Sequence, residues 1–236
     1  MAKEQKSDVD VWLERETPRV RRAFESASRY FDKNDHLTVN TLEAVYAQEN
    51  SFGILMGKRG STDAAGHFQF EPKTAREYSL SVSRQNDQRF DIDRASSAAA
   101  RYLKDLNTWF GKRTSLGEGL YTVPVKSLSE RKKFVLGAFN AGQGRIARAQ
   151  HLAQKDGRNP RLWSEVVNYI AAAKAGPAKQ EEARAYVEMV PLYEVEFAKK
   201  SPADKTLKEK GVRKGRYLCT EGHWVTIDDR PVFICD

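Results

Sequence analysis

Glu49 is the residue in this chain best placed to do chemistry. The spacing of Leu42, Val45 and Glu49 puts its carboxylate on the same helical face as core-packing residues. Gly53 follows as a natural helix stop, so Glu49 falls near a C-terminal end. Burial disfavours a charged carboxylate, and the negative end of the helix dipole disfavours it further. Together they predict a carboxyl that keeps its proton near neutral pH, as the general acid of glycoside cleavage must. The plainer alternative is a partly exposed acid at a fraying helix end.

Other chemistries lack their residues. There is no HExxH, no CxxC and no histidine pair at helical spacing; His36, His67, His151 and His223 are scattered, so neither a metal nor another cofactor is expected. A nucleophile elbow and a Walker loop are also missing. Gly142-Gln143-Gly144-Arg145-Ile146-Ala147 fits a relaxed dinucleotide fingerprint, but a helical pattern precedes it where that fingerprint needs a strand. The 236 residues carry 40 Lys+Arg against 32 Asp+Glu, and the net charge of +8 points to an anionic partner. Nucleic acid would be expected to show a basic stripe interleaved with aromatics, and none is seen. No apolar run approaches the ~20 residues that span a bilayer. No secretory leader is visible at the N-terminus.

The elements that must position Glu49 read as helices. Thr17-Pro18 predicts an N-cap and first helical residue. Asn40 and Glu43 resemble a capping box for the helix of Glu49. Residues 53–70 read as a structured loop, Pro72 opens a short helix, and Asp93 caps a long one that stops at Gly111. Helices follow over 129–139 and 145–154. Asn159-Pro160 opens another, and the last carries Tyr186, Val190 and Phe197, with a kink or break expected at Pro191. Residues 216–220, 223–228 and 231–235 read as short strands. Cys219 and Cys235 are either buried thiols or a disulfide closing that tail, the latter requiring an oxidising compartment. The expected fold is mainly α, with an N-terminal helical extension over 1–36, a main domain over 37–200 and a small β-like tail over 201–236.

Five segments, spread over residues 37–197, then add up to a family resemblance. Ala47-Gln48-Glu49-Asn50-Ser51-Phe52 is similar to a segment in which the soluble lytic transglycosylases carry their catalytic Glu, usually followed by Ser. Gly66-His67-Phe68-Gln69-Phe70-Glu71-Pro72-Lys73-Thr74-Ala75 resembles their Gly-Leu-Met-Gln-x-x-Pro-x-Thr-Ala stretch. Ala99-Ala100-Arg101-Tyr102-Leu103 matches their Ala-x-x-Tyr-Leu helix. Gly137-Ala138-Phe139-Asn140-Ala141-Gly142-Gln143-Gly144-Arg145 resembles their Ala-Tyr-Asn-Ala-Gly-x-Gly-Arg, and Ala185-Tyr186-Val187 their late Tyr-Val. The chain thus resembles the lysozyme-like superfamily, and more distantly goose-type lysozymes.

That resemblance implies a lysozyme-like helical domain cutting the β-1,4 bond between N-acetylmuramic acid and N-acetylglucosamine in peptidoglycan. Glu49 would be the single catalytic residue and 1,6-anhydro-muropeptides the products. Gln69 and Asn140 would hydrogen-bond sugar, and Phe68, Phe139 and Tyr186 would wall the cleft. Phe68 and Phe139 replace a Met and a Tyr of the pattern. Asp63 and Glu71 are candidate second carboxylates that could place a water, making the enzyme a goose-type muramidase instead. A non-catalytic wall-binding protein is the remaining alternative. Residues 111–131 and 146–179 look long for the family. A periplasmic or extracellular location would follow, with a secretion or phage apparatus as a further candidate partner.

Overall fold

A computed structural model describes residues 6–200 and the backbone of 222–227 and 230–235. The chain divides into two compact units, Met1–Lys200 and Ser201–Asp236. The regular structure described in the first unit is helical, with isolated bridges in the loops between helices.

Its centre is α3 (Val39–Asn50), with eight of its twelve residues buried. A helix so enclosed must be packed from several sides. α2 (Pro18–Ala27) and α5 (Ile92–Gly111) lie against it, as does α9 (Pro177–Lys200). Thr17 and Pro18 open α2 as N-cap and first residue, as expected. α3 starts two residues before the expected box: Thr38 is its N-cap, and the Thr38 N–H donates to Thr41 Oγ1 at 2.9 Å. Glu43 serves no cap because its side chain is fully buried and pairs with Arg21 of α2.

α1 (Asp8–Arg15) is fixed on α9 by Trp12, whose ring meets Tyr193 edge-on at 4.8 Å and stacks on Phe197 at 6.3 Å. The cap of α5 is Asp91 rather than Asp93; its carboxylate accepts from the N–H groups of Asp93 and Arg94. α5 ends at Gly111 as expected, and α4 (Pro72–Glu77) begins at its proline. α6 (Leu128–Ala141) and α7 (Gln143–Lys155) are separated only by Gly142.

Asn159-Pro160 does not open a helix. Asn159 Oδ1 instead accepts from Arg161 N in a turn, and α8 (Trp163–Val166) starts three residues later. That offset lets Trp163 lie on Gly137 of α6, where a Cβ would stand 2.2 Å from the indole ring. Nor is there a break at Pro191. α9 runs through it, because Val187, Val190 and Phe197 stay buried on either side of the one missing donor.

In the second unit, Gly222–Ile227 pairs antiparallel with Arg230–Cys235, Gly222 opposite Cys235. The expected strand over 216–220 and the Cys219–Cys235 pairing lie outside the described residues.

Candidate active site

α3 ends in an abrupt reversal. Ser51, Phe52 and Gly53 take φ values of 52°, 58° and 93°, three left-handed residues in succession. Asn50 holds the reversal from within. Its Oδ1 accepts from Gly53 N at 2.6 Å, its Nδ2 donates to the His67 carbonyl, and its own carbonyl accepts from Ile54 N and Leu55 N. A serine there would be too short for both side-chain bonds.

The reversal leaves Glu49 half-buried in a cleft of about 710 Å3. The Tyr186 hydroxyl, from α9, donates to Glu49 Oε1 at 2.8 Å. Desolvation raises the Glu49 carboxyl to a pKa of about 7. The Tyr186 bond lowers it, Glu182 raises it through its charge, and Lys179 opposes Glu182. A carboxyl so placed is part protonated at neutral pH and can give up or recover a proton.

Asn140 lies at the end of α6. Its Nδ2 donates to Glu182 Oε1 at 2.8 Å, while its Oδ1 is buried without a hydrogen-bond partner. Glu182 also pairs with Lys179 at 2.7 Å. Burial pushes the Glu182 carboxyl up, but bonds from Lys179 and Asn140 outweigh this and hold it below its ordinary value. Glu49 and Glu182 are thus two acids in one cleft shifted in opposite directions, Glu49 upward and Glu182 downward. Composition and spacing gave no signal for Glu182; its place one turn before Tyr186 was the available hint.

Gln69, Phe68, Phe139 and Tyr186 all line the same cleft as Glu49 and Asn140. Gln69 has φ 46°, and its Nε2 donates to the Leu55 and Gly66 carbonyls at 2.9 and 2.8 Å. Phe68 is almost wholly buried against Phe24 and Tyr46, so most of its surface serves the core. Phe139 is half-buried between Phe70 and Tyr102.

The two candidate second carboxylates separate. Glu71 lines the cleft, exposed, at the N-cap of α4. Asp63 does not line it. That residue is exposed, and its main chain is engaged elsewhere: its carbonyl accepts from Arg89 and its N–H donates to Ser61 Oγ. The expectation that it reaches the cleft is corrected on that ground.

The loop that bears Gln69 is organised by Arg89, unnoticed in the sequence. Arg89 is fully buried and pairs with Asp87 through two bonds of 3.0 and 2.8 Å. The rest of its guanidinium donates to the carbonyls of Ser61, Asp63 and Phe70 at 2.8 to 3.0 Å. Gly66 closes the arrangement, since a Cβ there would stand 2.2 Å from the Arg89 carbonyl oxygen. No group of His, Cys, Asp and Glu suited to a metal occurs among the described residues.

A helical domain with a raised acid in a cleft, held by a tyrosine from α9, fits the lysozyme-like fold. The transglycosylase SLT domain matches residues 27–162, more than half of the chain, and the chain belongs to that family. Tyr186 and Glu182 lie beyond the matched segment. Among curated proteins it is 31% identical over 116 residues to the membrane-bound lytic murein transglycosylase F of Cronobacter sakazakii, covering 45% of this chain and 20% of that protein. It is 30% identical over 102 residues to the membrane-bound lytic murein transglycosylase D of Escherichia coli K12, covering 43% and 19%. The transglycosylase F of Salmonella choleraesuis is 28% identical over 163 residues, covering 65% and 28%. The chain thus spans about a fifth to a quarter of the length of these relatives.

Proposed function

We propose that the protein is a peptidoglycan lytic transglycosylase, and that Glu49 performs both proton transfers. The observation that carries this reading is the Glu49 carboxyl itself, raised to about 7 by burial and held at 2.8 Å by Tyr186. Protonated Glu49 donates to the glycosidic oxygen as the C1–O bond breaks and positive charge develops at C1. The 2-acetamido group of the muramic acid stabilises C1 from the other face. Its 6-hydroxyl then bonds C1 and returns its proton to Glu49, leaving a 1,6-anhydro ring and the acid as it began.

Asn140 Oδ1 is the acceptor offered to a sugar N–H or O–H, because it is buried with no partner of its own. Gln69 orients the loop beneath the sugar, and Phe68, Phe139 and Tyr186 form the apolar floor. Membership of the SLT family and the likeness to named lytic murein transglycosylases support the same assignment. The catalytic unit is residues 37–200, with 1–36 as a helical extension. The paired segments 222–227 and 230–235 belong to the second unit and not to this catalytic unit. The site of action is periplasmic or extracellular, where the wall is; among the described residues no helix is long and apolar enough to cross a membrane.

Glu71 favours a second reading, since an exposed carboxylate in the same cleft can hold a water against C1. Purified sacculi and mass spectrometry separate the two. Anhydro-muropeptides are expected; products heavier by one water would assign a muramidase. Glu49→Gln should lose sacculus lysis by about 10²–10⁴-fold with its fold unchanged, and retained lysis would overturn the assignment of Glu49.

A further inference from the structure

The cleft continues past Glu49 and Asn140 into a section whose residues the proton-transfer scheme leaves unused. One contributor is the hairpin over residues 114–122. Its base is tied twice between strands, Thr122 N to the Thr114 carbonyl and Thr114 N to Thr122 Oγ1, both at 2.9 Å. Thr122 Oγ1 also donates to the Trp109 carbonyl at 2.7 Å, and the Arg113 guanidinium stacks 3.6 Å from the Tyr121 ring. On the α7 side, His151 Nε2 bonds the Tyr121 carbonyl and Gln150 exchanges two bonds with Val123. A hairpin anchored on two helices is a fixed wall, and its Leu116 side chain lines the cleft.

The other contributor is charge. Arg145 and Arg148 sit one turn apart on α7 and line the same cleft. Among the described residues neither is within ion-pair distance of a carboxylate: Arg145 donates to the Ala141 carbonyl, and Arg148 meets no hydrogen-bond partner there. Lys179 of the same cleft is, by contrast, neutralised by Glu182. Glu71 and Glu77, at the two ends of α4, also line the cleft, a mixed charge pattern that disfavours a uniform polyanion such as nucleic acid. The matching ligand is short, carries discrete carboxylates and has apolar carbons beside them.

We propose that Leu116, Arg145 and Arg148 form a subsite for the acidic stem peptide of muramic acid, so that the enzyme selects peptide-bearing strands over denuded glycan. The proposal rests on the murein reading. Leu116 would cover alanyl methyls, while the arginines take peptide carboxylates.

The test uses the whole chain on two substrates, peptide-bearing glycan strands and the same strands stripped by an amidase. The wild type is expected to favour the peptide-bearing strands by about tenfold in kcat/KM, less in high salt. Arg148→Glu should bring that ratio close to one, acting mainly through KM. Arg148→Lys should restore part of it, and Leu116→Ala should lower it by a smaller factor. A ratio near one in the wild type, or an unchanged ratio in Arg148→Glu, would overturn the subsite. Equal loss on both substrates would also overturn it, leaving Arg148 a structural role. Failure of the wild type to cut either strand would instead strike the murein reading itself.

Discussion

The Tyr186 hydroxyl donates to Glu49 Oε1 at 2.8 Å, joining the end of α3 to α9 across 137 residues of chain. The bond stabilises the ionised carboxylate, so it lowers a pKa that burial has raised. It therefore acts on both halves of the catalytic cycle, restraining the acid and supporting the base.

Tyr186→Phe should accordingly move the alkaline limb of kcat/KM to higher pH, because Glu49 would then hold its proton more firmly. The same change should lower kcat at the optimum by about tenfold, the scale of one hydrogen bond to a charged group. A pH–rate profile checks both effects, and an unmoved limb would show that Tyr186 only packs.

Arg89→Met should cost about 3–5 kcal/mol, since it leaves Asp87 charged and buried and frees three loop carbonyls. Urea denaturation measures the loss. The Asp87 carboxyl is pushed up by burial, but bonds from Arg89 and the Gly60 N–H outweigh that and keep it ionised. A loss below about 1 kcal/mol would mean that the loop holds its shape without the guanidinium.

The buried acids and the buried histidine should drive stability in opposite directions with pH. Burial raises Glu16, Glu43 and Glu49 above ordinary carboxyls. Groups raised in this way contribute stability that is complete below the unfolded pKa and lost as pH climbs through the folded one. His67 runs the other way: burial lowers it to about 4, so its contribution is complete above the ordinary histidine value and lost as pH falls through 4. Glu16 and Glu43 face each other beside the single guanidinium of Arg21, which also pairs with Glu25. Glu43→Gln should therefore gain in Tm relative to the wild type as pH rises from about 5 to about 9. A constant difference across that range would remove Glu43 as the source.

Gly137→Ala should destabilise by about 1–3 kcal/mol through overpacking, because the new methyl meets the Trp163 ring. Pairing it with Trp163→Phe should recover part of the loss in a double-mutant cycle. No recovery would place the strain elsewhere.

Much of this architecture was legible along the chain. Apolar spacing located α2, α5 and the helix of Glu49, and a proline at the first turn marked α2 and α4 correctly. Caps were less secure. Asp91 and Asp93 are both plausible by type, and only the N–H groups they reach decide between them. Asn40 with Glu43 looked like a cap because tertiary pairing with Arg21 leaves no trace in spacing. Glu49 was readable from its face and its neighbours, but Arg89 was not. A charged residue in a polar stretch reads as solvated, and the three carbonyls it binds are invisible to residue type. Asp63 was misplaced for a related reason, since proximity in sequence to Glu49 says nothing about which way a loop turns.

Within the loop, Arg89 grips main-chain oxygens rather than side chains. Carbonyls are common to every residue, so the exposed position 63 can change identity while the loop keeps its shape, whereas Phe70 is also held by its buried ring. A substitution at position 63 is therefore expected to leave the loop that bears Gln69 in place, since what the guanidinium holds there is the peptide and not the side chain.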